Sequence, residues 1–155
     1  MATITKFEDI VAWQKARVLC QRVFEIINRG EFARDFKLRD QINSSSGSVM
    51  DNISEGFERD GKNEFRQFLS ISKASCGEVQ SQLYRAHDRN YITKEEFQSL
   101  YNDCAQINKM IAKLMQYLNA SPYKGNKFME PEYPYGKRND DTLSLPVDIN
   151  DIIQN

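Results

Sequence analysis

The sequence predicts an all-α fold: a left-handed four-helix bundle over residues 1–120, followed by an irregular proline-rich tail over 121–155. Three observations predict it. All four prolines (Pro122, Pro131, Pro134 and Pro146) come after residue 120, so no ring interrupts a helical hydrogen-bond ladder before that point. Upstream of them the apolar residues recur with helical periods. The most regular run keeps a seven-residue repeat, which packs at a shallow left-handed angle against its neighbours.

The first helix carries Ile10, Trp13, Ala16, Cys20, Val23 or Phe24, and Ile27 on its inner face, with Gly30 as its C-terminal stop. The second spans about Asp35 to Glu58 and contains "SSSGSVMDNISEG", Ser44 to Gly56, a stretch whose composition reads as a loop. Advancing each residue by about 100° resolves three faces instead. Leu38, Ile42, Ser46, Val49, Ile53, Gly56 and Phe57 make the core face. Asp40, Asn43, Gly47, Asp51, Ser54 and Glu58 point to water. Between them runs a polar strip of Gln41, Ser44, Ser48, Asn52 and Glu55, made mostly of small residues.

Magnitudes favour helix over loop. The serines and Gly47 cost roughly 3 kcal/mol relative to alanine. Burying Leu38, Ile42, Val49, Ile53 and Phe57 contributes about 8–15 kcal/mol, an upper bound. The helix forms only when packed. Its polar strip then admits three readings: close contact within the bundle, a subunit interface, or a ligand or nucleic-acid site.

The third helix repeats the logic with Phe65, Phe68 or Leu69, Ser72, Cys76, Val79, Leu83 and Ala86, ending near Asn90. In the fourth, Phe97, Leu100, Cys104, Ile107, Ile111, Leu114 and Leu118 are spaced alternately by three and four, and Thr93 with Glu96 forms a capping box. In the tail, Tyr123, Phe128, Tyr133 and Tyr135 are expected to dock on the body.

Composition narrows function by exclusion. The 155 residues hold 21 Lys and Arg against 22 Asp and Glu, which is not the balance of a strongly basic nucleic-acid module. Cys20, Cys76 and Cys104 form no CxxC pair and sit among apolar residues, as reduced cytoplasmic thiols do. No apolar run approaches the ~20 residues of a membrane span, so a cytoplasmic protein is expected.

Chemistry is not evident. A di-iron bundle needs Glu-x-x-His pairs, but the single histidine, His87, follows Tyr84 at that spacing. "DGKN" around Lys62 lacks the residues of a phosphate loop and reads as the turn between helices two and three. No catalytic residue, metal or cofactor is expected, and an enzyme is not expected. Lys15, Arg22 and Arg29 recur every seven residues along about 21 Å of the first helix, and Arg34, Lys37 and Arg39 follow. Repeated in several copies, such a strip would bind phosphates with steep salt dependence. The plainer reading is a solvated face relieved by Glu8, Glu25, Glu31 and Asp35. Arg66 and Lys73 make a shorter strip on the third helix.

Three segments carry a family resemblance: "FEDIVAWQKA" (Phe7 to Ala16), "LRDQINSSSGSVMDNISEG" (Leu38 to Gly56) and "EFRQFLSISKASCGEVQSQL" (Glu64 to Leu83), joined by "YIT" before the last helix. The chain resembles the 23S rRNA intervening-sequence proteins from about Phe7 to Leu118. Ser54 stands where that family usually has alanine, and serines replace small apolar residues before the motif. The tail has no counterpart. The resemblance implies an antiparallel up-down-up-down bundle and a homopentameric ring. It also implies a genomic setting within rRNA intervening sequences, and kinship with the bundle that accompanies reverse transcriptases in diversity-generating retroelements. The expectation is a non-catalytic homo-oligomer that binds RNA or a ribonucleoprotein. The rival is a protein-interaction scaffold without nucleic acid, using the polar strip and the tail.

Overall fold

The computed structural model describes residues 3–121 and the backbone of 128–129. A short strand β1 (Thr3–Ile4) and one 3-10 turn (Phe7–Asp9) lead into α1 (Val11–Ile27). A second 3-10 turn (Phe32–Arg34) precedes α2 (Phe36–Glu58); α3 (Lys62–Asp88), α4 (Lys94–Ala120) and β2 (Phe128–Met129) follow. β2 returns to pair antiparallel with β1, placing Phe128 opposite Ile4. This strand pair is absent from the sequence reading, because two-residue strands leave no periodicity to detect. Tyr123, Tyr133 and Tyr135, and the rest of the tail, lie outside the described residues.

Contacts between helices run in opposite chain senses. Gln41, Ser45 and Ser48 of α2 meet Arg85, Gln82 and Ser75 of α3 in descending order. His87, Tyr84 and Gln80 of α3 meet Phe97 and Tyr101 of α4 the same way. Arg22 of α1 meets Asp103 of α4, and Arg29, just past the end of α1, meets Glu96. α1 and α3 each pack against both α2 and α4 and so face each other diagonally.

The core faces follow the predicted spacing with one rotation. Every expected inner residue of α4 and α2 is buried, and α3 buries Leu69 where Phe68 was the alternative. In α1 the expected face is turned: Ala12, Ala16, Leu19, Val23, Ile26 and Ile27 are buried, while Trp13 and Cys20 are only half-buried. Trp13 lies edge-on to Phe7 at 5.1 Å, in the turn before the helix, so a ring large enough to look like core covers its rim. Phe24 is 56 % exposed.

Local signals end the helices. Asp35 caps α2 by accepting from the Leu38 N–H at 3.2 Å. The Thr93 and Glu96 box is present, with bonds of 2.9 and 3.1 Å. Beyond α1 Gly30 takes a φ of +53°, which suits glycine. Lys62 opens α3 with Gly61 as its N-cap, so the turn between α2 and α3 is shorter than "DGKN" suggested.

The tightest approach is α2 on α3. A methyl group on Gly56 would sit 2.5 Å from the Phe68 Cβ and 3.0 Å from the Phe65 Cδ2. Gly47 meets nothing nearer than 3.9 Å. Gly56→Ala is therefore expected to lower the urea-unfolding free energy by about 1–3 kcal/mol. Gly47→Ala is expected to raise it by about 0.5–1 kcal/mol, since the helix gains alanine without a clash. Equal shifts in the two variants would contradict the packing.

Candidate interaction surfaces

The first-helix cations lie along the α1–α4 seam, and two of the three are already engaged. Arg22 donates to the Asp103 carboxylate and, at 2.7 Å, to the Ser99 hydroxyl. Arg29 donates to Glu96. Half-exposed pairs of this kind contribute only about 0–1 kcal/mol each, but they cancel the positive strip. The acids that neutralise it come from α4, 81 and 67 residues away, and not from the neighbouring glutamates. Lys15 has no ion pair among the described residues.

At the next connection Arg34 pairs with Glu31 at 3.3 Å, fully in water. Arg39 bonds Asp40 and the Ala33 carbonyl, both at 3.1 Å, and covers the Phe36 ring. Lys37 is exposed. The centre of this end of the bundle is Asp35, whose carboxylate also accepts from Arg89 at 2.6 Å and Tyr91 at 3.0 Å. Tyr91 stacks on buried Phe32 at 5.1 Å. One side chain thus joins the α1–α2 connection to the α3–α4 connection.

The polar strip of α2 borders α3 of the same chain, as the close-contact reading expects. Ser48 and Ser75 share a hydrogen bond of 2.9 Å, and Asn52 donates back to Ser48 at 2.8 Å. Gln41 accepts from Arg85, and Glu55 pairs with Arg59 one turn on. Sequence reasoning missed Ser45. It is buried and accepts from Gln82 at 3.0 Å, while its hydroxyl faces the Gln41 carbonyl and the Glu78 carboxylate. Ser72 donates to the Val49 carbonyl at 2.6 Å across the same seam. Serines matching across α2 and α3 were the available signal, but a pattern on one helix does not name its partner. Where the seam opens at its Gln41 end, Ser44 and Ser81 border a shallow groove of about 550 Å³.

The thiols are unreactive by environment. Burial pushes the Cys20 thiol up to about 11 and the Cys76 thiol up to about 12, and Cys104 also rises well above its usual value. All three are free cysteines, and Cys20 donates to the Ser46 carbonyl. His87 is half-buried against the Phe97 ring. No helix among the described residues is long and apolar enough to cross a membrane.

Four packed helices whose polar residues mostly serve each other define an all-α bundle protein. Residues 8–113 match the family of 23S rRNA-intervening sequence proteins, and the chain belongs to that family. Among solved structures it is similar to a protein of unknown function from the S23 ribosomal protein family of Bacteroides thetaiotaomicron. The two share 23% identity and superpose with a TM-score of 0.63, over 68% of this chain and 98% of the other. No curated protein matches.

Asp35 yields a test. The Leu38 N–H, then Tyr91 and Arg89, hold its carboxyl below the usual 3.8 against the opposing effect of burial. A depressed folded-state pKa contributes stability that is present above the unfolded value and lost as pH falls through the folded one. Asp35→Asn should therefore be less stable than the parent at neutral pH, with the gap closing below about pH 4. A gap unchanged down to pH 2.5, measured by urea unfolding, would refute the role of this charge.

Proposed function

We propose that this chain is a non-catalytic bundle protein that assembles as a homopentamer and binds RNA or a ribonucleoprotein in the cytoplasm. The observation that carries the reading is membership of a family named for 23S rRNA intervening sequences. Assembly draws support from the large apolar residues left in water. Val18 and Phe24 on α1 are 54 and 56 % exposed, and Ile71 on α3 is 48 % exposed. α1 and α3 are diagonal, so these residues are carried by two helices that do not adjoin. Apolar residues exposed on two different helices suit head-to-tail contacts between unlike surfaces, which close into rings. A non-catalytic role accords with protonated thiols and a histidine packed against a phenyl ring.

The same exposed side chains, with Phe36 at 63 %, also favour the rival reading of a scaffold for other polypeptides. A pull-down from lysate treated with nuclease separates the two. Partners lost on digestion favour RNA, and partners retained favour the scaffold.

Two outcomes are expected. Light scattering should return five times the 18.0 kDa chain mass, and a single-chain mass would remove the ring. The protein should bind structured 23S rRNA fragments with an affinity that falls steeply between about 50 and 200 mM salt. No binding at the lower salt, or a flat response, would end the RNA reading.

A further inference from the structure

We propose that RNA phosphates dock on a cationic band crossing α1, α4 and α3, built from Lys15, Lys109, Lys113 and Lys73, with Arg66 at its edge. The inference rests on the RNA-binding reading above and locates its contact surface.

Helix register brings these residues to one level. The Arg22–Asp103 and Arg29–Glu96 pairs set α1 against α4 so that Lys15 lies beside the turn containing Lys109 and Lys113. The contacts of Gln80 and Tyr84 with Tyr101 set α3 against α4, so that Lys73 reaches the level of Lys109 and Arg66 lies about two turns further along. Lys73 and Arg66 fall on the same side of α3 as Gln80, the side that faces α4, while Lys109 points outward from α4.

The charge in this region is one-sided. Residues 11–20, 65–77 and 104–120 hold Lys15, Arg17, Arg66, Lys73, Lys109 and Lys113, and not one of the chain's 22 acidic residues. Among the described residues none of these six cations forms an ion pair, in contrast to Arg22 and Arg29 higher on the same seam. The acids at this end are Asp51, Glu55 and Glu58 on α2, Asp60 in the turn after it, Glu8 and Asp9 before α1, and Glu64 in the first turn of α3.

Lys73 and Lys109 are exposed; Lys15, Lys113 and Arg66 are half-buried, with stems that lie along the bundle. Three adjacent helices at about 8–10 Å spacing give a band roughly 20 Å wide. Flexible ammonium groups act as point charges that fit a phosphate backbone without a fixed geometry. The band reads charge and shape, and sequence preference must come from elsewhere.

The test uses the full chain. In the double variant Lys73→Gln/Lys109→Gln, binding to a structured rRNA fragment should weaken about tenfold at 100 mM salt. The slope of log K against log salt should become shallower by about two, one for each lost phosphate contact. Circular dichroism and assembly mass should not change. Lys94→Gln, at the opposite end of α4, should leave affinity and slope as they were. If the parent binds RNA and the double variant binds with the same slope, the band is not the contact surface, although the RNA reading stands. If the parent binds no RNA, both fail. If the parent binds polyglutamate as tightly as RNA and loses both equally in the variant, the band serves acidic polypeptides and the assignment to RNA is overturned.

Discussion

The nearness of α2 to α3 governs this molecule. At Gly56 there is no room for a β-carbon beside the Phe65 and Phe68 side chains, and two turns earlier Ser48 and Ser75 bond hydroxyl to hydroxyl. Only small residues let two backbones come this close, and only hydroxyls and amides among small polar groups can satisfy one another once water has left. Ser45, Ser72 and Gln82 extend the same interaction. A segment with the composition of a linker is therefore helical because its neighbour holds it so. The register set here passes to α4 through Gln80 and Tyr84, and from α4 to α1 through the arginine pairs.

The ends of the bundle are closed by different chemistry. At one end Asp35 caps α2 while accepting from Arg89 and Tyr91, so that both connections there depend on one carboxylate. At the other end Lys62 donates to the Ser121 carbonyl, joining the start of α3 to the end of α4. β1 adds a strand pair with the returning chain and buries Ile4. Polar contacts thus gather at the seams and ends, and the apolar core is left to set the radius of the bundle.

Charge is sorted rather than scattered. Arginines concentrate where α4 or a connection supplies an acid, and their planar donors lie against carboxylates. Lysines without ion pairs among the described residues occupy the half of α1, α3 and α4 where Glu64 is the one acid within those helices. A near-neutral chain can carry a one-sided field in this way, and net charge alone does not report it.

The helices, the Thr93 and Glu96 box, the Gly30 stop and nearly all of the core were legible in the sequence, because period and capping are local properties. Leu38, Val49 and Ile53 announce their face by spacing alone, and Thr93 with Glu96 announces a start within four residues. Trp13 misled, since bulk suggests burial, while a ring beside Phe7 is satisfied at the rim. The partners were not legible. That Arg22 would meet Asp103, that Ser48 would meet Ser75, or that Phe128 would return to Ile4 depends on how helices of similar period dock side by side. Residues distant in the chain are matched by docking register, which is a property of whole faces. The sequence by itself determined which segments coil and which sides they hide. Only the tertiary structure decided which charges cancel, and so which surface remains free to meet another molecule.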